Sequence, residues 1–221
     1  MDTGPVADAV PRKLRADAER NRLRIIEAAR EIFAERGLEV TLDDVAARAG
    51  VGVGTVYRRF ANRDELVVGV LAEHLAHVAD QTRAALGDPD PWQAVVDVLT
   101  LVTTSMATDR GLAALVMWID HEQPEIKAAK AVLIEQLRKV YDRASDAGVL
   151  RPDFAHTDFF GVLTMLSAVA ETTRPTAPDA WRRFFELILD GMRAGQRSEF
   201  SVPALTDAQI QEIQRRRHQQ R

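Results

Sequence analysis

Residues Ala49 to Phe60 read AGVGVGTVYRRF, with Gly50, Gly52 and Gly54 ahead of Tyr57, Arg58 and Arg59. Two kinds of chemistry use such a pattern. A glycine-rich loop can turn its N–H groups onto a nucleotide's phosphates, provided a β-strand precedes it and a βαβ unit surrounds it. Here LDDVAARA, a helical pattern, precedes the glycines; no strand run follows, and no P-loop Gly-Lys-Ser/Thr is present. A helix–turn–helix explains the same residues better. Its turn needs glycine where φ is positive, which suits Gly50, with Val51 as the apolar plug of the turn. Gly52 would open the second helix with N–H groups free to meet a phosphate. Gly54 costs about 1 kcal/mol of helix propensity against alanine, a cost that makes sense if the backbone must lie against DNA.

The other candidate chemistry is a metal. EHLAH at 73–77 places Glu73, His74 and His77 within about one helical turn. HExxH is absent, however, and so are the paired ExxH motifs of a di-iron bundle. His74 falls on the apolar stripe Val67–Val70–His74–Val78, whereas His77 falls on another face. No metal and no cofactor are therefore expected. The chain has no cysteine, which excludes thiolate metal sites, cysteine nucleophiles and disulfides. There is no nucleophile elbow, and the carboxylates are scattered over solvated faces, so the chain does not read as an enzyme. Two competing readings stand beside DNA binding: an all-α interaction module, or a metal-binding helical protein whose helix–turn–helix is only structural. Salt-sensitive DNA binding separates them from the main reading.

The elements that position these residues read as helices throughout. LRIIEAAREIFAERG puts Leu23, Ile26, Ala29, Ile32 and Phe33 on one face and ends at Gly37. Thr41 and Asp44 form a capping-box pattern for a second helix that Gly50 stops. A short third helix runs from about Val53 to Phe60, with Val45, Ala46, Val56 and Phe60 as core. Asn62 to Glu65 opens a fourth helix toward Leu86, and GDPDP breaks it. Further helices are expected over PWQAVVDVLTLVTTSM, GLAALVMWI, PEIKAAKAVLIEQLRKVYDRASDAG, roughly 156–173 and 179–194. The fold class is all-α: a three-helix head on a larger helical bundle. The expected divisions are a flexible basic arm at 1–19, a helix–turn–helix domain at 20–66, a ligand-binding and dimerisation domain at 67–200, and a polar tail or extra helix at 201–221.

Composition agrees. The 221 residues are 46% hydrophobic with a net charge of -4, yet residues 12–24 carry six basic side chains against Asp17 and Glu19. A globally acidic chain can still present a local basic face. The N-terminus lacks the apolar core of a signal peptide, and AALVMWI is far shorter than the ~20 residues a spanning helix needs. A soluble cytoplasmic protein with no membrane partner is expected.

TLDDVAARAGVGVGTVYRRFANRDEL resembles the DNA-binding signature of TetR-family transcriptional regulators. The shared positions are Thr41, Val45-Ala46, Ala49-Gly50-Val51, Gly54-Thr55, Tyr57, Phe60, Arg63 and Glu65-Leu66. The family often has a capping residue such as Ser where Gly52 stands. The resemblance implies double-stranded operator DNA as partner, with Thr41, Gly52, Val53, Thr55, Tyr57, Arg58, Arg59 and Arg63 as the DNA-facing set. Arg58 suits bidentate contact to guanine, Val53 a thymine methyl, and Thr55, Tyr57, Arg59 and Arg63 phosphates. The resemblance also implies a body with a pocket for a small-molecule effector, apolar or aromatic in character. His74, Met106, Met117, Trp118, His121 and Phe160 are the candidate walls. Helix–turn–helix heads work as dimers on successive major grooves, about 34–36 Å apart. Phe159, Met165, Leu166, Trp181, Phe185, Ile188 and Met192, with Phe184, are the candidates for a homodimer interface built as a four-helix bundle. The expected function is a ligand-responsive regulator, most simply a repressor released by its inducer.

Overall fold

The computed structural model describes residues 9–37, 39–109, 112, 123–195 and 198–219. Among these residues there are nine helices and no strand, only an isolated antiparallel bridge between Leu150 and Arg193. The helices are α1 (Ala9–Arg36), α2 (Leu42–Ala49), α3 (Val53–Arg59), α4 (Arg63–Ala85), α5 (Pro91–Thr108), α6 (Pro124–Asp146), α7 (Asp158–Thr173), α8 (Ala180–Met192) and α9 (Asp207–Gln219). The chain divides into two compact units, Met1–Val70 and Leu71–Arg221. The all-α expectation holds. The helix expected over GLAALVMWI falls outside the described residues, apart from Leu112.

In the first unit, α1 packs on α2 and α2 on α3. The buried stripe of α1 runs through Ile25, Ile26, Ala29, Ile32 and Phe33. Leu23, expected on that face, is exposed. At 100° per residue it stands roughly 130° around the helix from the centre of the stripe, and Ile25 takes its place. The arm expected at 1–19 is helical from Ala9 onward, continuous with α1. Thr41 caps α2 reciprocally with Asp44, and Gly50 closes the helix in the left-handed region at φ 64°. Asn62 Oδ1 accepts the Glu65 N–H, while Glu65 reaches back to the Ala61 N–H, so α4 starts cleanly after the α3 turn.

The second unit buries Trp92, Val95, Leu99, Val140, Leu166 and Trp181 in one core, with α5 packed on α6 and α7 and α7 on α8. Asp90 caps α5 by accepting the Trp92 N–H, and Pro91 occupies the first turn, where a missing N–H costs nothing. The segment after α8 is pinned by Arg151. Its guanidinium donates to both oxygens of Asp153 and to the Ser198 carbonyl at 2.6 Å, and stacks 3.8 Å from the Phe200 ring centre. Asp153 also accepts the Phe200 N–H at 2.9 Å, and the Arg151 bonds hold its carboxyl down at about 2. The tail that follows forms α9. Thr206 and Gln209 make a capping pair there, the Gln209 N–H donating to Thr206 Oγ1 and the Thr206 N–H to Gln209 Oε1.

Candidate nucleic-acid interface and body cavity

The short helix α3 has one buried side chain, Val56, and the ring of Phe60 follows at its C-terminal cap. With those two turned inward, the outer face carries Val53 (43% exposed), Gly54, Tyr57 (51% exposed), Arg58 and Arg59. Gly52 caps α3 without any side-chain hydrogen bond; its carbonyl accepts the Thr55 N–H at 2.7 Å, and no side chain caps the Val53 and Gly54 N–H groups ahead of it. A Cβ built on Gly54 would meet nothing nearer than Arg58 Nη1 at 4.0 Å, so the interior of the unit does not require glycine there.

The charged groups on this face are partly preorganised. Arg58 donates to Thr55 Oγ1 at 3.1 Å, one turn back along α3. Arg59 Nη2 lies 3.3 Å from Glu19 Oε2 on α1. Any anion that recruits Arg59 must therefore compete with a carboxylate already in place. Arg63 is half-buried, and its Nε is buried without a hydrogen-bond partner. Thr41 is differently placed: its hydroxyl donates to Asp44 Oδ2 at 2.7 Å and accepts the Asp44 N–H at 3.1 Å. Its bonding is spent on the cap. Arg24, which the sequence left within a general basic arm, donates to the Ala49 carbonyl at 3.0 Å and so braces the turn.

Ion pairs tie α1 to α2 behind this face. Arg48 bridges Glu35 and Glu31, and Arg36 reaches Asp44. The Thr41 N–H and hydroxyl, then Arg36, pull the Asp44 carboxyl down to about 2. Glu35 is lowered chiefly by its hydrogen bond to Arg48, whose own pKa is raised.

The second unit contains a cavity of about 310 Å³. Its walls are apolar: Leu71, Leu75 and Val78 from α4, Val98, Leu99 and Met106 from α5, Leu133 and Leu137 from α6, Phe159, Phe160 and Leu163 from α7. Of the candidate pocket residues, His74, Met106 and Phe160 line it, and Met117, Trp118 and His121 lie outside the described residues. A polar rim was not anticipated. Lys130, Arg138 and His156 meet Asp207 and Gln214 of α9 there. Lys130 donates to Gln214 Oε1 at 2.6 Å, and Arg138 and His156 approach Asp207 at 3.5 and 3.4 Å. Among the described residues no group of three or more potential ligands is placed to hold a metal.

The candidate interface residues are mostly internal. Leu166, Trp181, Phe185 and Met192 are buried in the unit's own core, Ile188 packs against it, and Phe159 lines the cavity. Met165, at 54%, and Phe184, at 43%, are exposed. The reason is that α8 carries apolar groups on two faces. Trp181, Phe185 and Met192 turn inward, while Phe184 and Leu187 (60% exposed) turn outward. Leu187 escaped notice because it sits between two core positions of the same pattern. No described helix is long and apolar enough to cross a membrane.

Comparison with known proteins agrees with this architecture. Residues 25–70 match the description "Bacterial regulatory proteins, tetR family", and residues 90–194 match "Transcriptional regulator SbtR-like, C-terminal domain". A TetR transcription regulatory protein from Mycobacterium vanbaalenii superposes with a TM-score of 0.64 at 33% identity, covering 82% of this chain and 99% of that one. The TetR regulator SCO0520 of Streptomyces coelicolor gives 0.63 at 27% identity, over 79% and 99%. The HTH-type transcriptional regulator SrpR of Pseudomonas putida is 41% identical over 86 residues, which is 38% of this chain and 40% of that protein. The match to that curated relative thus spans well under half of its length. These relatives are described as transcriptional regulators rather than enzymes. This chain belongs to the TetR family of bacterial regulatory proteins.

Proposed function

We propose that the protein is a homodimeric, cytoplasmic transcriptional regulator that binds a palindromic operator through α3 and is released from it by a small apolar or aromatic effector. The observation that carries this reading is the outer face of α3. Val53, Tyr57 and Arg58 stand exposed on a helix whose only buried member is Val56, beside a Gly54 that internal packing does not call for. An exposed valine and tyrosine next to two arginines suit a groove floor flanked by phosphates. Arg58 reads a base; Arg59 and Arg63, with Thr55 and Tyr57, hold the backbone. Gly52 and the open N–H groups of α3 serve a phosphate, and Thr41 acts only through its cap.

The cavity supports the effector part of the reading, being mostly apolar-walled and within the range of about 300–1,000 Å³ usual for small-molecule sites. Met165, Phe184 and Leu187 supply the outward apolar face that a two-fold partner would cover. Helix α4 is continuous from Arg63 to Ala85 and so runs from one unit into the other. An effector that favours one body conformation can act on DNA affinity only through a difference between states. A hundredfold release corresponds to about 2.7 kcal/mol.

Selection of bound duplexes from a random pool at near-physiological salt tests the reading. An enriched inverted repeat with half-sites one helical turn apart supports it; no enrichment by the folded dimer refutes it. Arg58→Ala should relax base preference at one position per half-site, whereas Arg63→Ala should weaken all sequences evenly.

A further inference from the structure

Helix α9 lies beyond the residues matched by the family models. The matched body ends at residue 194, and α9 starts at Asp207. It nevertheless contributes Asp207, Ile210 and Gln214 to the cavity. Each contact has a recognisable chemical sense. Ile210 adds an apolar side chain to an apolar chamber. Gln214 presents an amide oxygen to Lys130 at 2.6 Å, and Asp207 presents a carboxylate to Arg138 at 3.5 Å, with His156 Nε2 at 3.4 Å from its other oxygen. Arg138 Nη2 also lies 3.0 Å from His156 Nε2, so these two side chains stand together beside Asp207.

We propose that the cavity takes an apolar molecule ending in a carboxylate, and that α9 is a built-in competitor holding that ligand's place. The inference rests on the effector reading of the cavity and adds the ligand's head group and its regulation. The chain's own side chains show the design: an oxygen acceptor at Lys130, a carboxylate between Arg138 and His156, and an apolar group pointing to the chamber. A ligand with a carboxylate on an aliphatic or aromatic body offers the last two of these features in one molecule. Its carboxylate would replace that of Asp207 at Arg138. The contacts of α9 are those of an exchangeable element. Asp207 is 62% and Arg138 48% exposed at the side chain, and such ion pairs are individually weak. The Thr206–Gln209 cap keeps α9 a helix of its own, so it can leave as a unit.

Calorimetric titration of the full-length protein with decanoate and with 1-decanol, both below their aggregation limits, tests this. The acid should bind at least about tenfold more tightly than the alcohol. Arg138→Gln should erase most of that difference. Asp207→Asn, which removes the competing carboxylate, should tighten decanoate binding several-fold. Gln214→Glu, which strengthens the docking of α9 by setting a carboxylate against Lys130, should weaken it. Equal binding of acid and alcohol would overturn the head-group assignment while leaving the effector cavity in place. Looser decanoate binding in Asp207→Asn would make α9 part of the binding wall and overturn the competitor. Binding of neither probe would overturn the inference, and a cavity that also refuses uncharged aromatic probes would overturn the effector reading with it.

Discussion

Gly69 leaves the space that the ring of Phe60 fills. A Cβ at position 69 would stand 2.9 Å from Phe60 Cε1 and 3.5 Å from Cζ, with Ile26 Cδ1 just beyond at 3.9 Å. Glycine within α4 costs about 1 kcal/mol of helix propensity, and the ring that closes α3 is what it accommodates. Gly69→Ala should therefore destabilise the first unit despite the better propensity. Overpacking costs about 1–3 kcal/mol, for a net loss of about 1 kcal/mol in urea unfolding. In a Phe60→Leu background the same change should become neutral or stabilising.

Asp44 links the α2 cap to acid stability. Its carboxyl is held at about 2 in the folded chain against an ordinary value of 3.8. A carboxylate lowered on folding contributes stability above the unfolded value, and that contribution is lost as pH falls through the folded one. Unfolding of the first unit should therefore steepen between about pH 4 and pH 2. Asp44→Asn should flatten that slope and lower stability near neutral pH, as read by circular dichroism melts across the range. Thr41→Ala should cost about 1 kcal/mol by breaking the same cap.

Gly54→Ala separates folding from DNA contact. The added methyl meets open space, so α3 should gain up to about 1 kcal/mol of propensity. If the backbone at this position approaches a duplex, operator affinity measured by fluorescence anisotropy should fall even as the protein becomes more stable. Unchanged affinity would remove close approach as the reason for this glycine.

The two faces of α8 should answer differently to substitution. Phe184→Asp with Leu187→Asp should shift sedimentation equilibrium toward monomer while preserving helicity and Tm. Trp181→Ala, 2% exposed in the core, should instead cost about 3–5 kcal/mol of stability. A dimer that survives the double substitution must be held by another surface.

The head was legible because its signals are local. Thr41 with Asp44, Gly50, and Asn62 with Glu65 each act over three or four residues, and the backbone bonds they predict are present. The body was less so. The apolar residues of α8 announce burial, but periodicity does not say which neighbour covers each face, so Trp181 and Phe185 were assigned to a partner when their own core holds them. The cavity was half visible. His74, Met106 and Phe160 came from apolar stripes, whereas Lys130, Arg138 and His156 look like ordinary surface charges until α9 arrives beside them. For α9 the sequence left tail and helix both open: Thr206 and Gln209 form a capping pattern ahead of two isoleucines, while the polar composition argues for neither.

The Arg151 anchor sets how far α9 can travel. With Phe200 fastened beneath that guanidinium, only the short stretch from Ser201 to Thr206 separates the fixed point from the helix. An undocked α9 would remain within roughly 20 Å of its seat, since an extended chain spans at most about 3.5 Å per residue. Its local concentration is then fixed by tether length, in the millimolar range typical of short linkers, whatever the amount of protein in the cell. A diffusing ligand meets a threshold built into each molecule, and shortening or cutting the tether would reset that threshold without touching a single cavity residue.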